Sequence, residues 1–133
     1  MEESKFQFKN PELIKLSFDI NDNFDEKTFD GIAISSNTTI KQSDSENIAN
    51  VTLSLNIGDD NNASPFRINI VMESDFLWST TFDDDTVQDL LRTNAPSFLL
   101  SYMRPLIASI TSNSKYPAFN LPFMDMSQNK LDE

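Results

Sequence analysis

Three stretches of the chain alternate between apolar and polar residues. In "LIKLSFDI", residues 13–20, Ile14, Leu16, Phe18 and Ile20 oppose Lys15, Ser17 and Asp19. In "NVTLSLNI", residues 50–57, Val51, Leu53, Leu55 and Ile57 oppose Thr52, Ser54 and Asn56. In "FRINIVM", residues 66–72, the apolar set is Phe66, Ile68, Ile70 and Met72. A period of two predicts strands with one buried face. "GIAISSNTTI", residues 31–40, is rich in β-formers but polar, and predicts a strand with a wet face. "GDDNNASP", residues 58–65, is a turn by composition, so the runs on either side of it form an antiparallel hairpin. Residues 21–29 form a polar crossover that carries Phe24 and Phe29. No helical pattern separates these four strands. The expectation is a four-stranded antiparallel sheet with one face to be covered.

The period changes at Asp83. "DDDTVQDLLRTN", residues 83–94, predicts a short helix with Asp85 as its cap and Asp83 and Asp84 complementing its dipole. "NAPSFLLSYMRPLIASITSNSK", residues 94–115, predicts a second helix that starts near Pro96 after an Asn94 cap. Leu99, Met103, Leu106 and Ile110 fall on one stripe, which Phe98, Leu100, Tyr102 and Ile107 widen. That is more apolar surface than one sheet face takes up, so the stripe is expected at an oligomer interface. Pro105 is expected to kink the helix or end its first half. Residues 127–133 are polar and expected to fray. Residues 1–133 read as a single α+β domain with helices packed on one side of the sheet.

Composition narrows the function. The 133 residues carry a formal charge of −11, a field that repels nucleic acid and anionic membranes and favours basic or mixed polypeptides. There is neither cysteine nor histidine, so thiol chemistry, disulfides and the usual neutral-pH base are missing. Asp19, Asn21 and Asn23 begin a calcium-loop pattern, but Phe24 stands where glycine is needed and Asp30 where glutamate is needed. Helix capping explains Asp83–Asp85 more simply than an ion. No nucleotide-cradling glycine motif is present and no carboxylate pair stands in a recognisable catalytic frame. The expectation is a non-enzyme without metal or cofactor. The first ten residues lack a signal-peptide core and no run is long enough to span a bilayer, which predicts a cytoplasmic protein. The N-x-S/T triplets at Asn37, Asn50 and Asn62 then carry no glycan.

The informative feature is apolar surplus: eleven Phe, one Trp and five Met. Several lie outside the periodic runs. "YPAFNLPFM", residues 116–124, holds three aromatics and two prolines and no charge. Pro117 and Pro122 stiffen it, Leu121 is expected to pack inward, and Phe119, Phe123 and Met124 are expected along a groove wall. Phe24 and Phe29 face them from the crossover, with Phe76 and Trp78 after the fourth strand. Met and aromatic side chains adapt to varied partners, so these seven residues are the candidate peptide-binding set.

The chain resembles the SecB family of protein-export chaperones. The residues that carry the resemblance lie in Asn94–Met124: a Pro-initiated helix with the step Tyr102-Met103-Arg104, then Tyr116-Pro117, then Asn120-Leu121 leading into a Pro-containing loop. "FQF" at 6–8 and "LSFDI" at 16–20 fit the family's first strand, and "FRINIVM" its fourth. The resemblance implies a homotetramer, a dimer of dimers joined through the long helix. It implies an ATP-independent holdase that keeps unfolded precursor polypeptides competent for export and translocation, with no cofactor. Family members that pass cargo to the SecA motor carry acidic residues on strands one and four. Asp19 fits such a position, whereas Lys15, Arg67 and Asn69 depart from it. The alternative implied function is a dedicated chaperone of one partner, such as the antitoxin of a toxin–antitoxin pair.

Overall fold

The computed structural model describes residues 4–29, 31–58, 64–128 and 130–132. The alternating runs become the two central strands. β4, Ile48–Ile57, pairs antiparallel with β5, Phe66–Trp78. Every second residue of each is buried: Ala49, Val51, Leu53, Leu55 and Ile57 on β4, and Phe66, Ile68, Ile70 and Met72 on β5. Gly58 leaves β4 with φ +85°, and a Cβ there would lie 2.3 Å from the Phe66 carbonyl oxygen, so only glycine fits. Most of the expected turn, 59–63, lies outside the described residues.

β5 runs past Met72, where the sequence pattern loses its apolar partner at Ser74. The Ser74 hydroxyl donates to the Lys9 carbonyl, which satisfies it while it is buried. Alternation therefore continues to Phe76. The far side of β5 is lined by two short pieces of one broken edge strand. β1, Phe6–Phe8, pairs with 76–78, and β2, Glu12–Ile20, pairs with 66–73, both antiparallel. Pro11, without an N–H, lies in the break. A bulge at Ile14 shifts the register between Leu13 and Lys15. β3, Ile34–Gln42, pairs antiparallel with β4, and β6, Lys130–Asp132, pairs parallel with β3 at 37–39. The stretch expected to fray thus adds a short strand. The order across the sheet is β1/β2, β5, β4, β3, β6. The four antiparallel positions match the expectation.

One face of the sheet is polar. Asn50 donates to Asp75 at 3.0 Å, and Asn69 donates to Asn56 at 2.8 Å. The other face carries the helices. α1, Asp84–Asp89, is capped by Asp83 rather than Asp85: the Asp83 carboxylate accepts from the Thr86 N–H at 2.7 Å. That hydrogen bond favours the ionised form and lowers the Asp83 pKa. α1 continues through a π-helical turn, Leu90–Asn94, into α2, Ala95–Ser112, so Asn94 is helical and caps nothing. The wider turn accommodates Pro96, which lacks an N–H and needs room for its ring. Pro105 lies inside α2 on the exposed side, and the helix runs through it. No described helix is long and apolar enough to cross a membrane.

α2 packs over β4 and β5. Leu99, Met103 and Ile107 are fully buried there together with Leu91 and Ala95. Two members of the expected interface stripe, Leu99 and Met103, are therefore core residues of the chain itself. Leu106 and Ile110 are half-buried, and the outward face of α2 presents Ser97, Ser101, Pro105, Ser109 and Ser112. The helix has an apolar side packed on the sheet, a partly exposed apolar flank and a small, polar outward side.

Candidate functional site

The helix face of the sheet is wider than α2. Residues 116–126 leave the end of α2 and cover the side towards β3. Two side chains of α2 hold this loop by its backbone. Arg104 donates to the carbonyls of Leu121 and Pro122, the latter at 3.0 Å. Thr111, fully buried, donates to the Ile107 carbonyl at 2.8 Å and accepts from the Phe119 N–H at 2.7 Å. Leu121 is buried, as expected, and Met126 is buried after it. Thr111→Val should strand the Phe119 N–H without a partner. A buried unpaired amide costs about 1–3 kcal/mol, so the urea midpoint should fall and exchange at the Phe119 amide should rise.

The opposite flank of α2 has no such cover among the described residues. Phe8, Leu13 and Leu16 point to the helix face, since they register with Phe76, Met72 and Ile70. On α2, Phe98, Tyr102, Leu106 and Ile110 follow one another at i, i+4. The Phe98 ring lies 4.1 Å from that of Phe8 and 5.0 Å from that of Tyr102, which fixes this row beside the edge strand. Phe8, Leu13, Ile14, Leu16 and Tyr102 each leave between 36% and 53% of their surface exposed. An apolar strip thus runs along the seam between α2 and β1/β2.

Aromatic clusters close both ends of the seam. At one end Phe24 meets Phe29 at 5.6 Å and Tyr116 at 6.4 Å, and Phe66 meets Tyr116 at 6.0 Å and Phe119 at 5.9 Å. At the other, Phe76 stacks on Phe6 at 5.4 Å and meets Phe98 at 5.9 Å. The expected peptide-binding set is therefore divided. Phe24, Phe29 and Phe119 come together, with Phe29 exposed and the other two half-buried. Trp78 is half-buried at the far end of β5, opposite Phe6. Phe76 is only 1% exposed and belongs to the core, so its ring offers no groove wall. Met124 is half-buried against the core, while Phe123 is fully exposed just beyond the Arg104 clasp.

Phe8, Leu13, Ile14, Leu16 and Tyr102 were not singled out as a surface by the sequence. One signal pointed there: adjacent Leu13 and Ile14 break the alternation, as a bulged edge strand does. Among the described residues the calcium-like pattern gathers no cluster of ligands. The Asn21 side chain donates to the Ser64 carbonyl at 2.9 Å and accepts from the Asn23 N–H at 3.1 Å, and Asp30 lies outside the described residues. A depression beside the outer sheet face is lined mainly by polar residues, Ser17, Asp19, Asn56, Arg67 and Asn69, with Ile57 and Ile68 also lining it.

The fold is SecB-like. Over 90% of its length the chain matches 91% of the SecB-like chaperone Rv1957 of Mycobacterium tuberculosis, solved in complex with a ChAD peptide from the HigA1 antitoxin, with a TM-score of 0.71 and 11% identity. A second solved structure, a protein of unknown function from Streptococcus agalactiae, matches 89% of the chain over 97% of its own, with a TM-score of 0.51 and 14% identity. No family model matches the sequence. No curated protein matches it either.

Proposed function

We propose that this protein is a chaperone that holds extended, unfolded polypeptide along the seam between α2 and β1/β2. The observation that carries this reading is the exposed strip of Phe8, Leu13, Leu16 and Tyr102, bracketed by aromatic clusters. Scattered exposed apolar residues are ordinary, but a continuous strip in a chain of charge −11 marks a contact surface. The 18 residues of α2 extend about 27 Å, matching roughly eight residues of extended client. Phe24, Phe29, Phe119 and Trp78 lengthen the contact at its ends, and Phe123 reaches clients from the loop. Binding is by burial of apolar surface and uses neither nucleotide nor metal. The acidic surface of a cytoplasmic holdase keeps the loaded complex soluble.

The antitoxin peptide bound by the mycobacterial neighbour favours a second reading, a chaperone dedicated to one partner. A panel of reduced and alkylated proteins separates the two. A general holdase, which would also serve export, binds most of them and suppresses their aggregation. A dedicated one binds none of the panel. A chain that binds neither the panel nor any antitoxin-like peptide would end the chaperone reading.

The same reading includes self-association through β2. Centring an antiparallel β2–β2 pair on Ser17 sets Lys15 opposite Asp19 twice and Leu16 opposite Phe18 twice. Opposite charges across strands stabilise pairing and like charges oppose it. The pair would lay two strips side by side as one apolar floor. Leu106 and Ile110, which keep some exposed surface, are then the members of the expected stripe left to join two such dimers. Lys15→Asp should shift the sedimenting species to monomer, and Lys15→Asp with Asp19→Lys should restore it. Monomeric wild type at micromolar concentration would remove this part of the proposal.

A further inference from the structure

The sheet has a second edge, and the chain itself lies on it. β3 pairs with β4 along all nine of its residues, 34–42. On its other side β6 meets 37–39, and does so parallel, while the other pairings among the described residues are antiparallel. Three parallel residues make a weak ladder, and strands of this length add little by themselves. Met126 is buried four residues before β6, so β6 can leave without loosening the loop that Arg104 and Thr111 hold.

We infer that the outer edge of β3 is a strand-addition site for an extended segment of a bound polypeptide, with residues 130–132 as its resident placeholder. The inference rests on the chaperone reading and adds a second mode of contact to it. An edge strand pairs with any chain that presents free backbone groups, so this mode asks little of client sequence. The preferred segment has alternating apolar residues. Those on one side continue the row of Ile34, Thr38 and Ile40, which share the helix face with Ile57, Leu53 and Val51. Those on the other lie beside polar Ser35, Asn37 and Thr39.

The test uses the full chain carrying Leu131→Pro, which removes an N–H from β6, and a second chain ending at Ser127. The probe is a ten-residue peptide alternating Val and Thr with a Lys at each end. If the placeholder occupies the edge 80–90% of the time, affinity is held back roughly 5–10-fold. Both variants should therefore bind the peptide roughly 5–10-fold more tightly than the unaltered chain. The peptide should also slow amide exchange in 34–42 in both. Equal affinity for all three chains, with exchange in β3 unchanged, overturns the strand-addition site. If the peptide then still binds and Leu13→Ser with Tyr102→Ser abolishes that binding, the chaperone reading survives without it. If no chain binds either this peptide or a reduced and alkylated protein, both fail together.

Discussion

Met103→Asp unfolds the chain. Met103 is fully buried beneath α2, among Leu99, Ile107 and the inward residues of β4 and β5. No buried side-chain donor or acceptor in the described residues is left without a partner there, so nothing waits to receive a carboxylate. An unpaired buried charge costs several kcal/mol. Domains of this size have about 5–15 kcal/mol in total, and the lost packing of a methionine removes about 2–5 kcal/mol more. The expected result is loss of the cooperative urea transition and of near-UV circular dichroism at neutral pH. Leu99→Asp should behave the same way. Leu106→Asp should not, because Leu106 is half-buried and its new charge can reach water. This contrast separates core from interface. If Met103→Asp stayed folded with a wild-type urea midpoint and merely changed its sedimentation, α2 would be packed differently from the structure described.

On the proposed chaperone reading, Leu13→Ser with Tyr102→Ser should abolish most client binding and leave the fold intact. The two residues belong to the two sides of the seam, Leu13 to β2 and Tyr102 to α2, with 45% and 42% of their surfaces exposed. Burying the exposed part of each against a client contributes about 1 kcal/mol, at about 25 cal/mol per Å². Removing both costs about 2 kcal/mol, or roughly a thirtyfold rise in Kd. Their exposed portions add little to the folded chain, so the unfolding free energy from urea titration should fall by no more than about 1 kcal/mol. Fluorescence anisotropy of a labelled unfolded protein measures the binding. Phe123→Ser is the informative comparison, because Phe123 is fully exposed and stands apart from the seam. It should weaken binding by only a few-fold and leave stability unchanged. Its former companion in the loop, Met124, is half-buried, and replacing it would confound stability with binding. A double variant at the seam that binds as tightly as the unaltered chain would place the client surface elsewhere.

Much of the fold was legible in the chain before any coordinates. The run at 50–57 alternates throughout and the run at 66–72 does so apart from Val71, and β4 and β5 bury the apolar set of each. Leu121, expected to pack inward, does so, whereas Phe123, expected on a groove wall of the same uncharged loop, stands fully exposed. Other features were hidden for identifiable reasons. Ser74 ends the apolar pattern, yet its hydroxyl is satisfied by Lys9, distant in sequence, so β5 runs on to Trp78. Asp83, Asp84 and Asp85 are equivalent as cap candidates by composition, and only the backbone turn at Asp83 selects one. Asn94 followed by Pro96 reads as a helix start, whereas a π-helical turn carries the helix through.

The sequence by itself determined which residues share a face. Periodicity of two or of 3.6 is a local property of the backbone, and it follows from residue order alone. What lies against each face was decided only in three dimensions. Leu99 and Met103 are equally compatible with a chain's own core and with a neighbour's surface until the sheet is seen to fill with them. Phe76 and Phe29 look alike as aromatics outside a pattern, but one is enclosed by Phe6 and Phe98 and the other stands open. Leu13 and Leu16 carry the inward register of β2, yet α2 packs over β4 and β5 and leaves them partly uncovered. Exposure depends on the relative widths and positions of packed layers, and no window of sequence contains that information.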